Sequence, residues 1–140
     1  PYMITDVMMR LGPYVFSVST AAYQALSRTT EYRWGAQERI GQREALQFVG
    51  PGKDVISLPG VIYPKYRGGF GQLNEMRSLA ATGQPLLMVA GTGRMLGRWC
   101  IESITETQSV FLGAGLPRKQ AFTLKLRKYD DGASLQLPGR

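Results

Sequence analysis

Histidine is absent from the 140 residues, and cysteine occurs once, at Cys100. The first absence removes the commonest general base, the commonest metal ligand and the usual partner of a serine or cysteine nucleophile. The two together leave no ligand set for a conventional structural zinc site, and no intramolecular disulfide can form. Cys100 lies between Trp99 and Ile101 in an apolar strand pattern, which predicts a buried, inert thiol. No apolar run approaches the roughly 18 residues that cross a bilayer. Thr5 and Asp6 also interrupt the first ten residues, where a signal peptide needs an unbroken apolar stretch.

The remaining candidates for chemistry have simpler readings. Glu102 and Glu106 would share a strand face about 13 Å apart, at roughly 3.3 Å per residue, too far to share a proton. Asp130-Asp131 follows a strand and reads as a turn rather than a cation site. Gly91-Thr-Gly-Arg-Met-Leu-Gly97 has its last glycine one residue late for a dinucleotide loop, and a strand follows where a helix is required. Gly50-Pro-Gly-Lys53 lacks both the upstream glycine and the following serine or threonine of a phosphate loop. Both glycine clusters are read as turns. The sequence therefore predicts no catalytic, cofactor or metal site, and a protein that is not an enzyme.

What is present is a globular composition, with 44% hydrophobic and 19% charged residues. The length suits one domain with one core. A net charge of +7 and a pI near 9.9 admit an acidic partner of any class, although the basic residues are scattered and mostly fit solvated faces.

The clearest pattern runs from Arg94 to Asp131. Three strands are predicted there, over Met95–Ile104, Ser109–Leu112 and Phe122–Tyr129. In the last, Phe122, Leu124 and Leu126 alternate with Thr123, Lys125 and Arg127. Further strands are expected at Tyr14–Val18, at Arg28–Gln37 with Tyr32 and Trp34 packed in the core, and at Ala45–Val49. Asp54–Leu58 and Leu86–Val89 are also read as strands, and a short helical turn is predicted over Ala21–Leu26. Gly50-Pro-Gly52 reads as a turn, and Pro59 and Pro64 place Val61-Ile-Tyr63 on an edge strand or an excursion. One helix is predicted after Gly71, where Leu73, Met76, Leu79 and Ala80 recur at spacings of three and four, with Gly83 and Pro85 ending it.

The fold class that follows is mainly β (α+β), a sandwich or small barrel with one flanking helix, in a single domain over residues 1–140. Residues of about 1–11 form an N-terminal arm in this reading, and those of about 132–140 a loose tail. A basic sheet with aromatics could also bind single-stranded nucleic acid, but no ribonucleoprotein or helix-turn-helix motif supports it.

Several blocks carry a resemblance. Tyr14-Val-Phe-Ser17, Thr20-Ala-Ala-Tyr-Gln-Ala-Leu26, Glu31-Tyr-Arg-Trp34, Leu46-Gln-Phe-Val-Gly-Pro-Gly52, Gly60-Val-Ile-Tyr-Pro64 and Glu106-Thr-Gln-Ser-Val-Phe111 occur in order, followed by Pro117-Arg-Lys119 and Phe122 to Asp131. From about Gly12 to Asp131 the chain resembles the tail protein U family of P2-like contractile-tailed phages and related bacteriocins. The resemblance implies a tail-tube-like fold and a structural protein of a virion or bacteriocin tail, assembled in the host cytoplasm. It also implies a homo-oligomer, expected to be a hexameric ring, contacting the tail tube protein, baseplate hub proteins and the tape-measure protein. DNA passage through the channel, without sequence-specific binding, and no membrane contact are expected. Such a ring would join the tube to the baseplate hub, with a terminator at the head-proximal end as the alternative. The expected subunit contacts are an arm within Gly50–Gly71, using Val61, Tyr63 and Tyr66, and the basic residues Arg118, Lys119, Lys125 and Arg127.

Overall fold

A computed structural model describes residues 7–17, 21–62, 71–108 and 119–130. The strands are β1 (Val7–Leu11), β2 (Tyr14–Ser17), β3 (Ala22–Tyr23), β4 (Ser27–Arg39), β5 (Gln42–Ile62), β6 (Leu86–Ala90), β7 (Met95–Gln108) and β8 (Gln120–Lys128). The helix α1 spans Gln72–Ala81. All strand pairings are antiparallel within one eight-stranded sheet of order β2-β1-β6-β7-β8-β5-β3, and β4 also pairs with β5. The sheet curls until its end strands meet, where the Phe16 and Tyr23 rings lie edge to face with centroids 6.0 Å apart. The result is the expected mainly β barrel with one flanking helix.

The inward rows follow from strand alternation. Phe122, Leu124 and Leu126 of β8 are buried opposite Gly60, Leu58 and Ile56 of β5, while Lys125 and Arg127 point outward. Trp99, Met88, Met9, Leu11 and Phe16 complete this core from β7, β6, β1 and β2. Burying each such side chain contributes about 1.5–3 kcal/mol. Gly60 is required where β3, β5 and β8 crowd together, since a Cβ there would lie 2.5 Å from both the Ala22 carbonyl oxygen and Phe122 Cζ.

Helix α1 sets Leu73 and Met76 against the core. It is tied down by the Tyr14 hydroxyl, which donates to Gln72 Oε1 at 2.6 Å, and by the Arg77–Glu106 ion pair at 2.6 Å. The Arg77 guanidinium, bonded to Glu106, holds that carboxyl below its usual pKa. Gly83, at φ +70, follows the helix where the sequence predicts its end.

Several expectations change. Ala22–Tyr23 is a strand paired with Val61 and Gly60, not a helical turn, because the β5 backbone offers partners that an isolated turn lacks. Gly50-Pro-Gly52 makes no turn, and β5 runs through it as a continuous strand with bulges. Val61 is not at an edge, for it lies between β8 and β3. Val7–Leu11, expected in an arm, is a sheet strand between β2 and β6. Cys100 is half-buried on the outward side opposite Arg127. Glu102 and Glu106 engage Arg127 and Arg77 respectively, as structural ion pairs. The strand expected at Ser109–Leu112 and the tail of 132–140 lie outside the described residues.

Candidate assembly interface

β4 and β5 are too long for the body they belong to. The 13-residue β4 and 21-residue β5 stay paired from Ser27↔Ser57 out to Arg39↔Gln42, whereas β8 covers β5 only from Val55 to Ile62. The part beyond Thr30 and Asp54 therefore projects as a two-stranded arm. Glu31 to Arg39 extends about 30 Å at roughly 3.3 Å per residue. Both edges of this arm lack a strand partner among the described residues, since β4 pairs only with β5 and Gln42–Asp54 of β5 only with β4.

The two faces of the arm differ. Residues opposite one another share a face, so Tyr32 with Pro51, Trp34 with Phe48, and Ala36 with Leu46 form one apolar row. Tyr32, Trp34, Leu46 and Phe48 are 62%, 57%, 64% and 50% exposed, against the core packing expected for the two aromatics. Along β4 this row continues from Arg28, which pairs with the buried Ile56, so the side that is core inside the barrel is bare outside it. The other face carries Arg33, Gly35, Gln37 and Gln47.

The root of the arm is fixed by charge. Arg28 donates through Nε to Asp54 Oδ1 at 2.8 Å and through Nη2 to Oδ2 at 2.6 Å, and the Thr30 hydroxyl donates to Oδ1 at 3.2 Å. These bonds hold the Asp54 carboxyl below its usual pKa and the Arg28 guanidinium above its own. Arg28 Cζ and Lys128 Nζ sit 5.2 and 5.6 Å from the centre of the buried Trp99 ring, a cationic lid on the barrel end. Beyond them the register shifts between Thr30 and Tyr32 and again between Arg33 and Trp34. Gly50 takes φ +148 at the second shift, and Glu31 Oε1 accepts the Lys53 amide at 3.4 Å near the first. Bulges of this kind bend and twist a ribbon.

Of the residues expected at subunit contacts, Val61, Lys119, Lys125 and Arg127 are described, and they lie on the barrel body. Val61, Lys125 and Arg127 lie on the outer barrel wall without meeting, since Val61 is opposite Ala121, four residues along β8 from Lys125; Arg127 pairs with Glu102 at 2.8 Å, and Lys119 is half-buried just before β8. Tyr63, Tyr66 and Arg118 lie outside the described residues. Sequence reasoning missed Tyr32, Trp34, Leu46 and Phe48 as surface groups. A usable signal was present, because two long alternating runs flank the tight Ile40-Gly41 turn and exceed the five or six residues of a usual strand. Exposed aromatics would suit base stacking, but the one cation on their row, Arg28, is bonded to Asp54 at the root of the arm, and their other face neighbours are Ala36, Leu46 and Phe48. The row suits an apolar protein surface better than a phosphate backbone.

The model of the Phage P2 GpU family matches residues 12–131. A protein of Halomonas phage phiHAP-1 (isolate -/Gulf of Mexico/-/2001) named "Probable tape measure protein" is 32% identical over 129 residues. That match takes in 90% of this chain, which spans only 15% of the relative's length. Among solved structures, a chain in the tail of an empty GTA particle with C6 symmetry superposes at a TM-score of 0.52 with 12% identity, covering 93% of this chain and 96% of that one. A chain in the virion of the native gene transfer agent gives 0.51 and 13%, covering 93% and 95%. At these identities the likeness is one of fold.

Proposed function

The chain belongs to the Phage P2 GpU family and is a structural protein of a phage tail, and on that premise we propose that six copies close into a ring joining the tail tube to the baseplate hub. The observation that carries this reading is the arm, a hairpin with one apolar face left bare and two edges left unpaired by the described residues. A lone subunit leaves that surface in water, and a neighbouring copy removes it. Edge pairing and apolar burial then act together, and a head-to-tail contact closes by rotation into a ring. Six is the order that a similar fold adopts in the C6-symmetric GTA tail.

The subunit works by geometry in this reading, with the β4–β5 hairpin, which takes in Gly50–Lys53, as its reach. The relative named as a probable tape measure protein contains a segment like this chain, which supports a position where ring and tape-measure protein meet. Lys125 and Arg127 on the outer wall orient contacts with other tail proteins more than they strengthen them. Antibody or tag labelling of assembled particles tests the position. Label at the tube–baseplate junction is expected, and label at the head-proximal end would replace this reading with a terminator ring.

A further inference from the structure

The arm ends in Ile40, which is fully exposed at the hairpin turn, with Glu38 and Glu44 beside it. By alternation both glutamates continue the row of Ala36 and Leu46. Neither makes an ion pair among the described residues. Arg39 and Arg43 stand at the same turn, where Arg39 Nε donates to the Arg43 carbonyl at 2.9 Å, and they alternate onto the other face. On the apolar face the tip is therefore an exposed isoleucine with two carboxylates that make no ion pair among the described residues, suited to an apolar site with a basic rim.

A counterpart of that kind lies on the described surface. A groove of about 710 Å³ runs beside the β6–β7 turn, lined by Val7, Met8, Val89 and Gly91–Gly93, with Arg10 on its wall. Arg94 follows the turn and is exposed, and neither arginine is ion-paired among the described residues. Close packing keeps the turn shallow, since a Cβ on Gly91 would run into the Val7 carbonyl oxygen. Met95, opposite Val89 and 70% exposed, extends the apolar floor.

Position favours a second copy as the occupant. The strand register places the β6–β7 turn and the root of the arm at the same end of the barrel, because Trp99 of β7 pairs with Lys128 of β8 and Val55 of β5 with Arg127. In the sheet order β1 and β6 are separated from β5 by β7 and β8, so groove and arm stand on different walls. Each copy can then give an arm on one side and receive one on the other, as a closed head-to-tail ring requires. We infer that the tip of one copy's arm, Ile40 with Glu38 and Glu44, seats in the groove of the next copy against Val89, Arg10 and Arg94. This rests on the ring reading above.

The test is charge reversal in the full-length chain, with assembly followed by light scattering across a concentration series. Glu38→Arg with Glu44→Arg raises the concentration needed for assembly at least about tenfold, because like charges then face one another. Arg10→Glu with Arg94→Glu does the same, and combining all four restores assembly. Ile40→Asp, at a fully exposed site that leaves folding intact, also impairs it. Normal assembly of the glutamate reversals, or no rescue by the four-fold swap, overturns the pairing while leaving the ring standing. Loss of thermal stability without loss of assembly in the arginine reversals would mean that the chain's own first residues fill the groove, which also overturns it. A wild-type chain that stays monomeric throughout overturns both readings.

Discussion

Trp34 and Phe48 face one another across the β4–β5 hairpin, ring centroids 5.1 Å apart and planes at 65°, yet each ring is at least half exposed. An edge-to-face pair of this kind is worth about 0.5–1.5 kcal/mol beyond its buried area. It stiffens the arm but does not cover it.

Trp34→Ser with Phe48→Ser should therefore separate folding from assembly. Thermal unfolding of the monomer is expected to shift by no more than a few degrees, since the body does not touch the pair. Ring formation, read by analytical ultracentrifugation, should be lost. A large drop in melting temperature would show that the pair belongs to the core after all.

Trimming the arm is the stronger perturbation. Thr30 and Asp54 are directly opposite, so replacing Glu31–Lys53 by Asn-Gly leaves a two-residue hairpin of favoured geometry. The barrel should fold, with far-UV circular dichroism keeping its β signature, and the particles should not assemble. Assembly of the trimmed chain would remove the arm from the mechanism.

Acid should loosen the arm's root. The folded-state pKa of Asp54 is lowered by Arg28, so the pair's contribution is present above the unfolded value of about 3.9 and is lost as pH falls through the lower folded value. Arg28 is 42% exposed, which limits the contribution to about 0.2–1 kcal/mol. In a Trp34→Phe background, Trp99 emission should change below about pH 4 as Arg28 moves from its ring, and Asp54→Asn should abolish that step. Glu106 responds in the same direction at the other end of the barrel, so the Asp54→Asn comparison assigns the signal.

Gly60→Ala probes the body rather than the arm. Its Cβ would meet both the Ala22 carbonyl and the Phe122 ring, and backbone cannot yield as a side-chain tip can. Destabilisation of about 1–3 kcal/mol is expected by chemical denaturation. A neutral result would mean that β3 is not held against β5.

Much of this architecture was legible in the residues. Period-two burial in Phe122–Arg127 and the three-and-four spacing of Leu73, Met76 and Leu79 each report a face against a core, and both elements formed as expected. The arm is not legible in this way, because alternation records which residues share a face, not whether that face is covered. Tyr32 and Trp34 alternate as core residues do, and their partner is expected on another chain. Gly50-Pro-Gly52 misled for a related reason, since bulges in a long hairpin use the same residues as turns. Neighbouring prolines point to an edge for Val61, yet Pro59, paired with Thr123, sits inside the sheet.

Cryo-electron microscopy of the assembled full-length protein tests the central claim most directly. The expected result is a closed six-membered ring in which Tyr32, Trp34, Leu46 and Phe48 of each copy are covered by the next. A ring held together elsewhere with this row left in solvent, or no ring at all, would contradict it.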